Sequence, residues 1–351
     1  MIVFIIVKGK NMRINKNQCI TLINDCDLLE LGKKADKIKK EKFGNIVTFI
    51  IDRNINYTNI CKNECKFCAF FRPKDSKDAY LLDHQAILEK VRETVESGGT
   101  QVMIQGGLHP DIGLDYYEKM LKLIKSQFNI TIHSFTATEI QHFAQLSGIS
   151  VLDTLKRLKA AGLDSLPGGG AEILVDEVRK KISPKKISSQ DWLNVMKIAH
   201  SIGMKSTATM VIGFGETLEQ RIEHMEKIRQ LQDETGGFRA FIMWSFQPNN
   251  TKLGGEKVST WDYMKTLATS RIYFDNIDHI QGSWVTQGEK VGQITLAFGA
   301  DDLGSIMLEE NVVKATGTCY EMSIKKMVNL IKESGNIPAQ RDTTYKILKQ
   351  F

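Results

Sequence analysis

The stretch NINYTNICKNECKFCAFFRPK, residues 54–74, holds three cysteines in a C-x3-C-x2-C arrangement: Cys61, Cys65 and Cys68. The stretch has no fourth cysteine. A structural zinc site closes its tetrahedron with four protein ligands. A cubane iron–sulfur cluster has four irons, so that three thiolates leave one iron open to a small molecule. The spacing therefore favours a [4Fe–4S] cluster with one open iron.

Two other interpretations of these cysteines stay open. They could form an incomplete zinc knuckle, with His84 or His109 as the fourth ligand, although both histidines lie outside knuckle spacing. They could also carry no metal, but three clustered exposed thiols would be open to oxidation. The remaining cysteines, Cys19, Cys26 and Cys319, are scattered along the chain. We expect them to be ordinary small side chains, without a second cluster or a disulfide framework.

Length and composition fit a globular chain with a large core. The 351 residues are 42% hydrophobic and 25% charged, which allows one large α/β barrel or two ordinary domains. Six cysteines, half of them in one motif, are typical of a reducing cytosol, so we predict a cytoplasmic protein. The net charge of +6 comes with dispersed lysines, and no basic helix is interleaved with aromatic residues. We therefore expect no nucleic-acid partner.

The N-terminal sequence MIVFIIVKGK contains an apolar run of seven residues. A membrane-spanning helix needs about 20 apolar residues, so we expect no membrane partner. The run is also a poor signal peptide, because no positively charged residues precede it. The sequence leaves open whether translation starts at Met1 or at Met12.

Short apolar runs alternate with longer amphipathic segments along most of the chain. IVTFII, residues 46–51, has the pattern of a strand, and QAILEKVRETVESGG, residues 85–99, that of a helix ending in glycine. About eight such β/α units predict a parallel sheet closed into a TIM-like (β/α) barrel, with flanking helices at both ends. We place the barrel at residues 46–310, after an N-terminal extension and flanking helix at residues 1–45. Residues 311–351 are predicted to be a C-terminal flanking segment packed on the barrel.

In a barrel of this kind, the chemistry lies in the loops that follow the strands. The loop after the second predicted strand is IQGGLHP, residues 104–110. Gly106 and Gly107 have no Cβ, so the backbone can approach a ligand closely there. We expect these two glycines to contact a cofactor.

A second glycine-rich loop, PGGGAEIL, follows the fourth predicted strand. We expect Gly168, Gly169 and Gly170 to open a helix over residues 171–182, whose free N–H groups can take a carboxylate. Glu172 follows them and is a candidate acceptor for ribose hydroxyls. A plain loop-to-helix turn is the alternative for this stretch.

With Phe67 directly before the last cysteine, the cysteine motif resembles that of the radical SAM superfamily. The resemblance implies two cofactors, a [4Fe–4S] cluster held by the three cysteines and S-adenosyl-L-methionine (SAM) on the open iron. It also implies that the paired glycines of IQGGLHP hold the methionyl amino group of SAM. TMVIGFGE, residues 209–216, partly matches the strand that contacts adenine, with Val211, Gly213 and Glu216 at the matching offsets. Thr209 stands where that pattern has a glycine.

Longer stretches extend the resemblance to one branch of this superfamily. DRNINYTNIC, GGTQVMIQGGLHPD, SWVTQGEKVGQ and GADDLGSIMLEENVV, among others, are similar to the cyclic dehypoxanthinylfutalosine synthase family of the futalosine route to menaquinone. The similarity runs from about Leu28 to Tyr345. It implies that a 5′-deoxyadenosyl radical takes a hydrogen atom from ribose C4′ of dehypoxanthine futalosine. The sugar radical would then form a carbon–carbon bond with the benzoate ring of the same molecule.

Other functions stay open at this point. Aminofutalosine synthase and the two halves of deazaflavin synthase share the cysteine motif and much of the barrel, but they join two molecules. A zinc-binding nucleic-acid module is the more distant alternative, and it would leave the glycine-rich loops without a role.

The resemblance places the substrate near the stretches SWVTQG and LEENVV. Ser283, Thr286 and Gln287 are neutral candidate donors to the benzoate carboxylate. Trp284 could stack on the arene, although a core position is the commoner role of a tryptophan. Glu309 and Glu310 could line the pocket or cap a helix.

The proposed reaction also needs a proton acceptor and an electron donor. Three residues after predicted strands are candidates for the base: His109, His133 and Glu139. The net positive charge would suit an acidic flavodoxin or ferredoxin as the electron donor, through charge complementarity.

Overall fold

The computed structural model describes residues 13–351. The choice between Met1 and Met12 as the start therefore lies outside the described residues. The described α-helices are α1 (Lys16–Asp25), α2 (Leu28–Phe43), α3 (His84–Glu96), α4 (Leu114–Gln127), α5 (Ala137–Ser147), α6 (Val151–Ala161), α7 (Asp176–Ile182), α8 (Ser189–Ser201), α9 (Leu218–Thr235), α10 (Thr260–Tyr273), α11 (Glu289–Thr295) and α12 (Ile324–Glu333).

Most strands are shorter than the helices, and two of them have only two residues. They are β1 (Ile46–Ile50), β2 (Asp52–Ile55), β3 (Gln101–Ile104), β4 (Thr131–Ile132), β5 (Ser165–Leu166), β6 (Lys205–Ile212), β7 (Phe238–Ser245), β8 (His279–Gln281), β9 (Asp302–Ser305), β10 (Ile337–Arg341) and β11 (Ile347–Gln350).

Eight parallel strands follow one another around a barrel. One sheet joins β2, β3 and β4, and a larger sheet runs from β5 through β9 to β1. β1 and β2 are two halves of one strand, separated at Ile51. A parallel bridge between His133 and Ser165 connects the end of β4 to β5, and the Asp164 N–H donates to the Ile132 carbonyl at 3.1 Å. The predicted (β/α) barrel of about eight units is thus confirmed.

The C-terminal segment joins the sheet as well as packing on it. β10 pairs in parallel with β1, beginning with Ile46 opposite Ile337, and β11 pairs antiparallel with β10. Beyond Ile51 the first strand changes its partner, because β2 pairs with β3. Residues 337–350 therefore close the floor of the barrel, where the parallel strands begin.

The helices present apolar stripes to the barrel. In α4 the buried side chains recur every three or four residues, which is one helix face: Leu114, Tyr117, Met120, Leu121 and Ile124. Helices α1 and α2 before the barrel and α12 near the C-terminus are the flanking helices that the sequence predicts. Within residues 13–351, no helix combines the length and apolar character needed to cross a membrane.

One helix begins later than the sequence predicts. α7 starts at Asp176, with Val175 as its N-cap, so the three glycines of PGGGAEIL do not open it. The expectation that free N–H groups of a helix start there is therefore wrong. Residues 171–175 form an irregular and buried segment, in which Glu172 has a φ of +40°. The apolar residues of AEILV resemble a first helical turn in sequence, but in the fold they fill the core.

Candidate active site

A cavity of about 280 Å³ opens at the end of the barrel where the parallel strands finish. Its walls come from residues within β2, β6 and β7 and from the segments that follow β2, β3, β4, β5, β7, β8 and β9. This is the end at which barrels of this kind carry their active sites. Cys61, Cys65 and Cys68 all line the cavity, so the fold brings the predicted metal ligands to the predicted place.

Backbone hydrogen bonds hold the cysteine loop from both sides. The Lys62 N–H donates to the Leu108 carbonyl at 3.1 Å, and the Lys66 N–H donates to the Ile182 carbonyl at 2.8 Å. The Lys66 carbonyl in turn accepts from the Leu253 N–H at 2.8 Å. The loop is therefore tied to the segments after β3, β5 and β7 by contacts that need no metal.

Arg72 closes the far end of the same loop. Its Nη1 donates to the carbonyls of Ala69 and Phe71, each at 2.9 Å. Its Nε donates to the carboxylate of Asp78 at 2.5 Å. A planar guanidinium that binds nearly successive carbonyls holds the chain in a tight curve. This curve follows directly after the last cysteine.

All three thiols are free of disulfides. Burial raises the pKa of Cys65 to about 12 and also raises the pKa of Cys68. Buried thiols of this kind stay protonated near neutral pH until a metal displaces the proton. In the described part of the chain, no group of three His, Cys, Asp or Glu side chains is close enough together to hold one metal ion. The thiols line the cavity wall, an arrangement that suits the separate corners of a cubane.

The two histidines considered as zinc ligands bind elsewhere. Nε2 of His84 lies 3.1 Å from the carbonyl oxygen of Tyr116. Nδ1 of His109 accepts from the N–H of Asp111 at 3.1 Å. Neither histidine is among the residues that line the cavity. The zinc-knuckle interpretation therefore has no fourth ligand in these two side chains.

Gly106 and Gly107 line the cavity, but their first role is in packing. A Cβ on Gly107 would lie 2.1 Å from the carbonyl oxygen of Ile60 and 2.9 Å from the Cβ of Cys61. A Cβ on Gly106 would lie 2.9 Å from the ring of Tyr57. The glycines are therefore required so that this loop can lie directly against the cysteine loop.

Glu139 holds the glycine loop in place. Its carboxylate accepts from the Gly106 N–H at 3.0 Å, from the Tyr57 hydroxyl at 2.9 Å, and from the N–H and hydroxyl of Thr136 at 2.7 and 2.8 Å. Burial raises the pKa of Glu139, while these hydrogen bonds oppose the rise. The Gly106 N–H is used within the protein, so the loop would offer a ligand its carbonyl oxygens, which can accept from an ammonium group.

Lys186 and Glu172 form an ion pair beside the cysteines. Nζ of Lys186 lies 2.8 Å from Oε1 of Glu172 and 5.4 Å from the ring centroid of Phe67. All three side chains line the cavity. Phe67 and Glu172 are predicted from the sequence, whereas nothing in KKISPKKISS distinguishes Lys186 from the lysines around it.

Three buried polar atoms on residues that line the cavity have no hydrogen-bond partner among the described residues: Asn56 Oδ1, Thr138 Oγ1 and Glu172 Oε2. Leaving such an atom unpaired costs about 1–3 kcal/mol. Hydroxyl and amino groups of a bound ligand would satisfy these acceptors. Three free thiols, unpaired acceptors and a close-packed glycine loop together fit a [4Fe–4S] cluster with SAM.

The remaining predicted SAM contacts divide into two groups. Three of them line the cavity: Gly169, Gly170 and Val211. Gly168 instead packs against β6, since a Cβ there would lie 2.7 Å from the carbonyl oxygen of Thr207. Gly213 shapes the turn after β6, because its φ is +106° and its N–H donates to Glu216 at 2.9 Å.

Three neutral side chains are predicted to donate to the substrate. Thr286 lines the cavity, whereas Ser283 and Gln287 do not. The Ser283 hydroxyl lies 3.1 Å from the Thr286 hydroxyl. Gln287 Nε2 donates to the hydroxyl of Ser245 at 2.5 Å. Ser283 and Gln287 thus orient Thr286 and Ser245, both of which line the cavity.

Two further predicted substrate contacts lie away from the cavity. Trp284 is buried in the core, and its Nε1 donates to the Ser305 carbonyl at 3.0 Å. Glu309 forms an ion pair with Lys90 at 2.7 Å. Neither side chain is among those that line the cavity.

The three candidate bases are not brought together. Glu139 lines the cavity, and His109 does not. His133 lines a second, deeper chamber, where its Nδ1 lies 2.7 Å from the hydroxyl of Ser165. Burial holds the pKa of His133 well below its usual range.

Glu310, a candidate from the sequence beside Glu309, lines the cavity, whereas other cavity residues are absent from the sequence predictions: Asn56, Thr138, Lys186 and Trp244. Trp244 could have been found, because alternation along β7 sends every second side chain into the barrel. The others lie in or next to loops, whose paths no local pattern predicts.

Two family models match the chain. The model of the radical SAM superfamily matches residues 55–228, which include the cysteine loop and both glycine-rich loops. A model described as the CofH/MqnC C-terminal region matches residues 235–350, which include β7 to β11.

Curated relatives match nearly the whole chain. A cyclic dehypoxanthine futalosine synthase of Streptomyces coelicolor is 48% identical over 342 residues, which cover 96% of this chain and 86% of the relative. The synthase of the same name from Halalkalibacterium halodurans is 46% identical, with coverage of 97% and 92%. A 5-amino-6-(D-ribitylamino)uracil–L-tyrosine 4-hydroxyphenyl transferase of Methanosarcina mazei is 41% identical, with coverage of 90% and 86%.

A solved structure supports the fold. The crystal structure of methylornithine synthase (PylB) matches with a TM-score of 0.73 and covers 93% of this chain and 95% of its own, at 20% sequence identity. At that identity the likeness concerns the fold alone. The identity of 48% and 46% with the two curated synthases, over nearly the whole chain, identifies the family. The chain belongs to the radical SAM superfamily and, within it, to the family of the cyclic dehypoxanthine futalosine synthases.

Proposed function

We propose that this protein is a radical SAM cyclase that converts dehypoxanthine futalosine into its cyclic product in menaquinone biosynthesis. The observation that carries the proposal is the identity of 48% and 46% with two cyclic dehypoxanthine futalosine synthases over almost the whole chain. The transferase relative, at 41%, is less similar. The comparison therefore favours closure within one molecule over the joining of two.

Different residues of the cavity would bind the cluster and the separate parts of SAM. Cys61, Cys65 and Cys68 would hold the cluster, and the carbonyl oxygens of the glycine loop would accept from the amino group of SAM. Oε2 of Glu172 has no hydrogen-bond partner among the described residues, although Nη1 of Arg179 lies 3.7 Å away. It would accept from ribose hydroxyls, while Lys186 orients the carboxylate through Oε1. When bound, the cluster and SAM supply a 5′-deoxyadenosyl radical that can take a hydrogen atom from the substrate.

Aromatic side chains form one wall of the cavity. The ring centroids of Phe67 and Phe214 lie 5.3 Å apart, and those of Phe214 and Phe246 lie 5.0 Å apart. Phe67 and Phe246 line the cavity directly. An apolar wall excludes water from a reactive site and holds the substrate close to the attacking atom.

We assign Glu139 a positioning role, because its carboxylate already accepts four hydrogen bonds from the protein. It fixes the Gly106 N–H and so the whole glycine loop. The base for the last proton stays a prediction, and His109 and His133 have no contact with this cavity. Thr286 and Ser245 are two of the neutral donors that line it.

We propose an acidic flavodoxin or ferredoxin as the electron donor. Lys62 and Lys66 are exposed on the cysteine loop, and Nζ of the exposed Lys252 lies 5.2 Å from the ring of Phe71. Glu64 is the acid of this loop, and it is neutralised by Lys185 at 2.6 Å. A net positive surface over the cluster ligands would guide an acidic partner to the shortest path for an electron.

The electron-donor proposal is tested with Lys66→Glu. We expect slower turnover with reduced flavodoxin at low ionic strength, and an unchanged rate with dithionite, which needs no docking surface. Lys122→Glu, a change in α4 away from the cysteine loop, is the matched control. Equal effects of the two substitutions would contradict the docking surface.

The function is tested by anaerobic reconstitution followed by product analysis. Given SAM, dithionite and dehypoxanthine futalosine, the brown protein should release 5′-deoxyadenosine and a product two hydrogen atoms lighter than the substrate. No second organic substrate should be needed. A requirement for a second molecule would favour a transferase, and a colourless protein without SAM cleavage would return the zinc interpretation.

A further inference from the structure

Below the active-site cavity lies a second chamber of about 100 Å³. The two spaces adjoin, since five residues line both: Gln105, Gly169, Thr209, Trp244 and Met307. The chamber continues towards the barrel floor, where Arg341, Thr343 and Tyr345 line it. Its volume corresponds to about three water molecules, which is also enough for one carboxylate group.

Arg239 lines this chamber with its guanidinium unsatisfied. Its Nε and Nη2 are buried and have no hydrogen-bond partner among the described residues. The side chain enters the barrel because β7 carries an extra residue at this point. The pairing of β6 with β7 passes from Ser206 opposite Phe238 to Ala208 opposite Phe241. Such a bulge turns a side chain to the other face of the sheet.

The carboxylates near Arg239 are occupied by other groups. Asp164 accepts from Nζ of Lys125 at 2.6 Å. Asp342 accepts from the N–H of Thr344 at 2.8 Å. Burial lowers the pKa of Arg239 to about 10, so the guanidinium is still charged at neutral pH. Arg239 as a whole is half-buried, but its Nε and Nη2 are buried without a partner, so these donors require an anion or ordered water.

Arg239 is also the unpaired cation of the two connected spaces. The lysines and arginines among their described lining residues are Lys186, Arg239 and Arg341. Lys186 is paired with Glu172 at 2.8 Å. Arg341 binds both carboxylate oxygens of Asp302, at 2.6 and 3.0 Å. A substrate carboxylate that enters from the cavity therefore finds one cation free.

Resting on the function proposed above, we propose that Arg239 binds the carboxylate of the substrate's benzoate ring in this chamber. The guanidinium fork matches a carboxylate with two parallel hydrogen bonds. Asp52 also lines the chamber and carries an unpaired Oδ1, and burial raises the pKa of its carboxyl group. The substrate would then lie along the barrel axis, with its ribose near the cofactors and its carboxylate towards the floor.

The test compares the substrate acid with its primary carboxamide in two enzymes. In the native enzyme the carboxamide should react with a kcat/KM lower by roughly 10- to 100-fold, mainly through KM, because a charged hydrogen bond is lost. Arg239→Met should lower kcat/KM for the acid by the same factor, and it should leave kcat/KM for the carboxamide as it is in the native enzyme. Arg239→Lys should fall between them. Arg157→Met, a change of an exposed arginine in α6, should leave the discrimination unchanged.

A second arm measures binding without turnover. Benzoate should bind to the reconstituted protein in calorimetric titration, benzamide should not, and Arg239→Met should lose the benzoate signal. This arm and Arg239→Lys also decide the matter if Arg239→Met does not fold. If the native enzyme shows no turnover of dehypoxanthine futalosine, the proposed function fails, while benzoate binding still tests the site.

Three results would overturn the assignment. One is equal turnover of acid and carboxamide by the native enzyme, and another is full benzoate binding by Arg239→Met. The third is a combined result: chloride or formate at matched concentration displaces benzoate, and the enzyme turns over the acid and the carboxamide equally well. That result would assign the chamber to a small inorganic anion.

Discussion

The floor and the mouth of the barrel differ in whether their buried polar groups have hydrogen-bond partners within the protein. At the floor, Asp302 accepts from Nε and Nη2 of Arg341 at 2.6 and 3.0 Å, from the hydroxyl of Thr48 at 2.6 Å and from the N–H of Gly304 at 2.7 Å. This carboxylate is saturated by the protein itself. It joins the C-terminal β10 to β1 and β9, so its role is to hold the barrel closed.

At the mouth, acceptors of the same kind are left open. Asn56 Oδ1, Thr138 Oγ1 and Glu172 Oε2 are buried, and none has a hydrogen-bond partner among the described residues. Each costs folding free energy in the ligand-free protein. Among the described residues that line the two connected spaces, saturated polar groups serve the fold, and unsaturated ones mark where a ligand can bind. In the deeper chamber the unsaturated groups belong to Asp52 and Arg239, and we assign a ligand to Arg239 because it is the cation.

The largest effect is expected at the cysteine loop. Cys61→Ser, Cys65→Ser and Cys68→Ser should each lose the four-iron cluster and all activity, because a hydroxyl is a poor ligand for these irons. Iron content and the visible absorption of the reconstituted protein measure the loss. Cys19→Ser, Cys26→Ser and Cys319→Ser are the controls and should keep both iron and activity. Full iron in any of the first three variants would refute the ligand assignment.

The next effect tests whether the glycine loop serves packing or ligand approach. Gly107→Ala places a Cβ 2.1 Å from the carbonyl oxygen of Ile60, so it should displace the cysteine loop and lose most of the iron together with SAM binding. Gly113→Ala, which meets nothing within 4 Å, is the matched control. A Gly107→Ala protein with full iron and no SAM affinity would show that ligand approach, not packing, requires the glycine.

The floor should respond to substitution in stability. Asp302→Asn leaves the buried Arg341 without its counter-charge, and we expect a loss of about 3–5 kcal/mol in the free energy of unfolding. Glu234→Gln breaks the exposed pair with Lys197 and should cost about 0.5 kcal/mol or less. Urea unfolding of the two variants measures the difference. A similar small loss in both would mean that the floor does not depend on its saturated carboxylate.

The smallest effect concerns acidification of the floor. Burial and the nearby Arg239 and Arg341 lower the pKa of His133 in the folded protein, while the unfolded value stays near 6.5. Below that pH the unfolded chain binds a proton that the folded chain does not, so stability falls as the pH falls. The slope is up to about 1.4 kcal/mol for each pH unit. His133→Gln should flatten the fall between pH 6.5 and 5, and an unchanged slope would contradict this account.

The sequence predicts what depends on contiguous residues. The cysteine motif, the glycine-rich loops and the order of strands and helices are all local patterns. The structure forms a barrel from these strands and helices, with the cysteine motif and the glycine-rich loops at its mouth. At Ile51 the first strand exchanges its partner β10 for β3. These two partner strands lie almost 240 positions apart in the sequence, so no local pattern encodes the exchange.

The site shows the same limit. For Trp284 the sequence leaves two roles open, an arene contact or a core position. In the fold it lies in the core, where its indole N–H donates to the Ser305 carbonyl. Lys186 reaches the cavity from a loop and Thr138 from the first turn of α5, and long-range packing sets the position of both. Arg239 enters the barrel only because of a bulge in β7. A sequence pattern can show that a side chain is capable of chemistry, but its neighbours in the fold decide whether it has a free atom for it.

The most direct test of the central claim uses dehypoxanthine futalosine that carries deuterium at ribose C4′. The reconstituted enzyme, with SAM and a reductant, should transfer the deuterium into 5′-deoxyadenosine and release the cyclic product without it, because the carbon that loses the atom is the one that bonds to the arene. Deuterium retained in a cyclic product would contradict the account. So would 5′-deoxyadenosine that forms only when a second organic substrate is added.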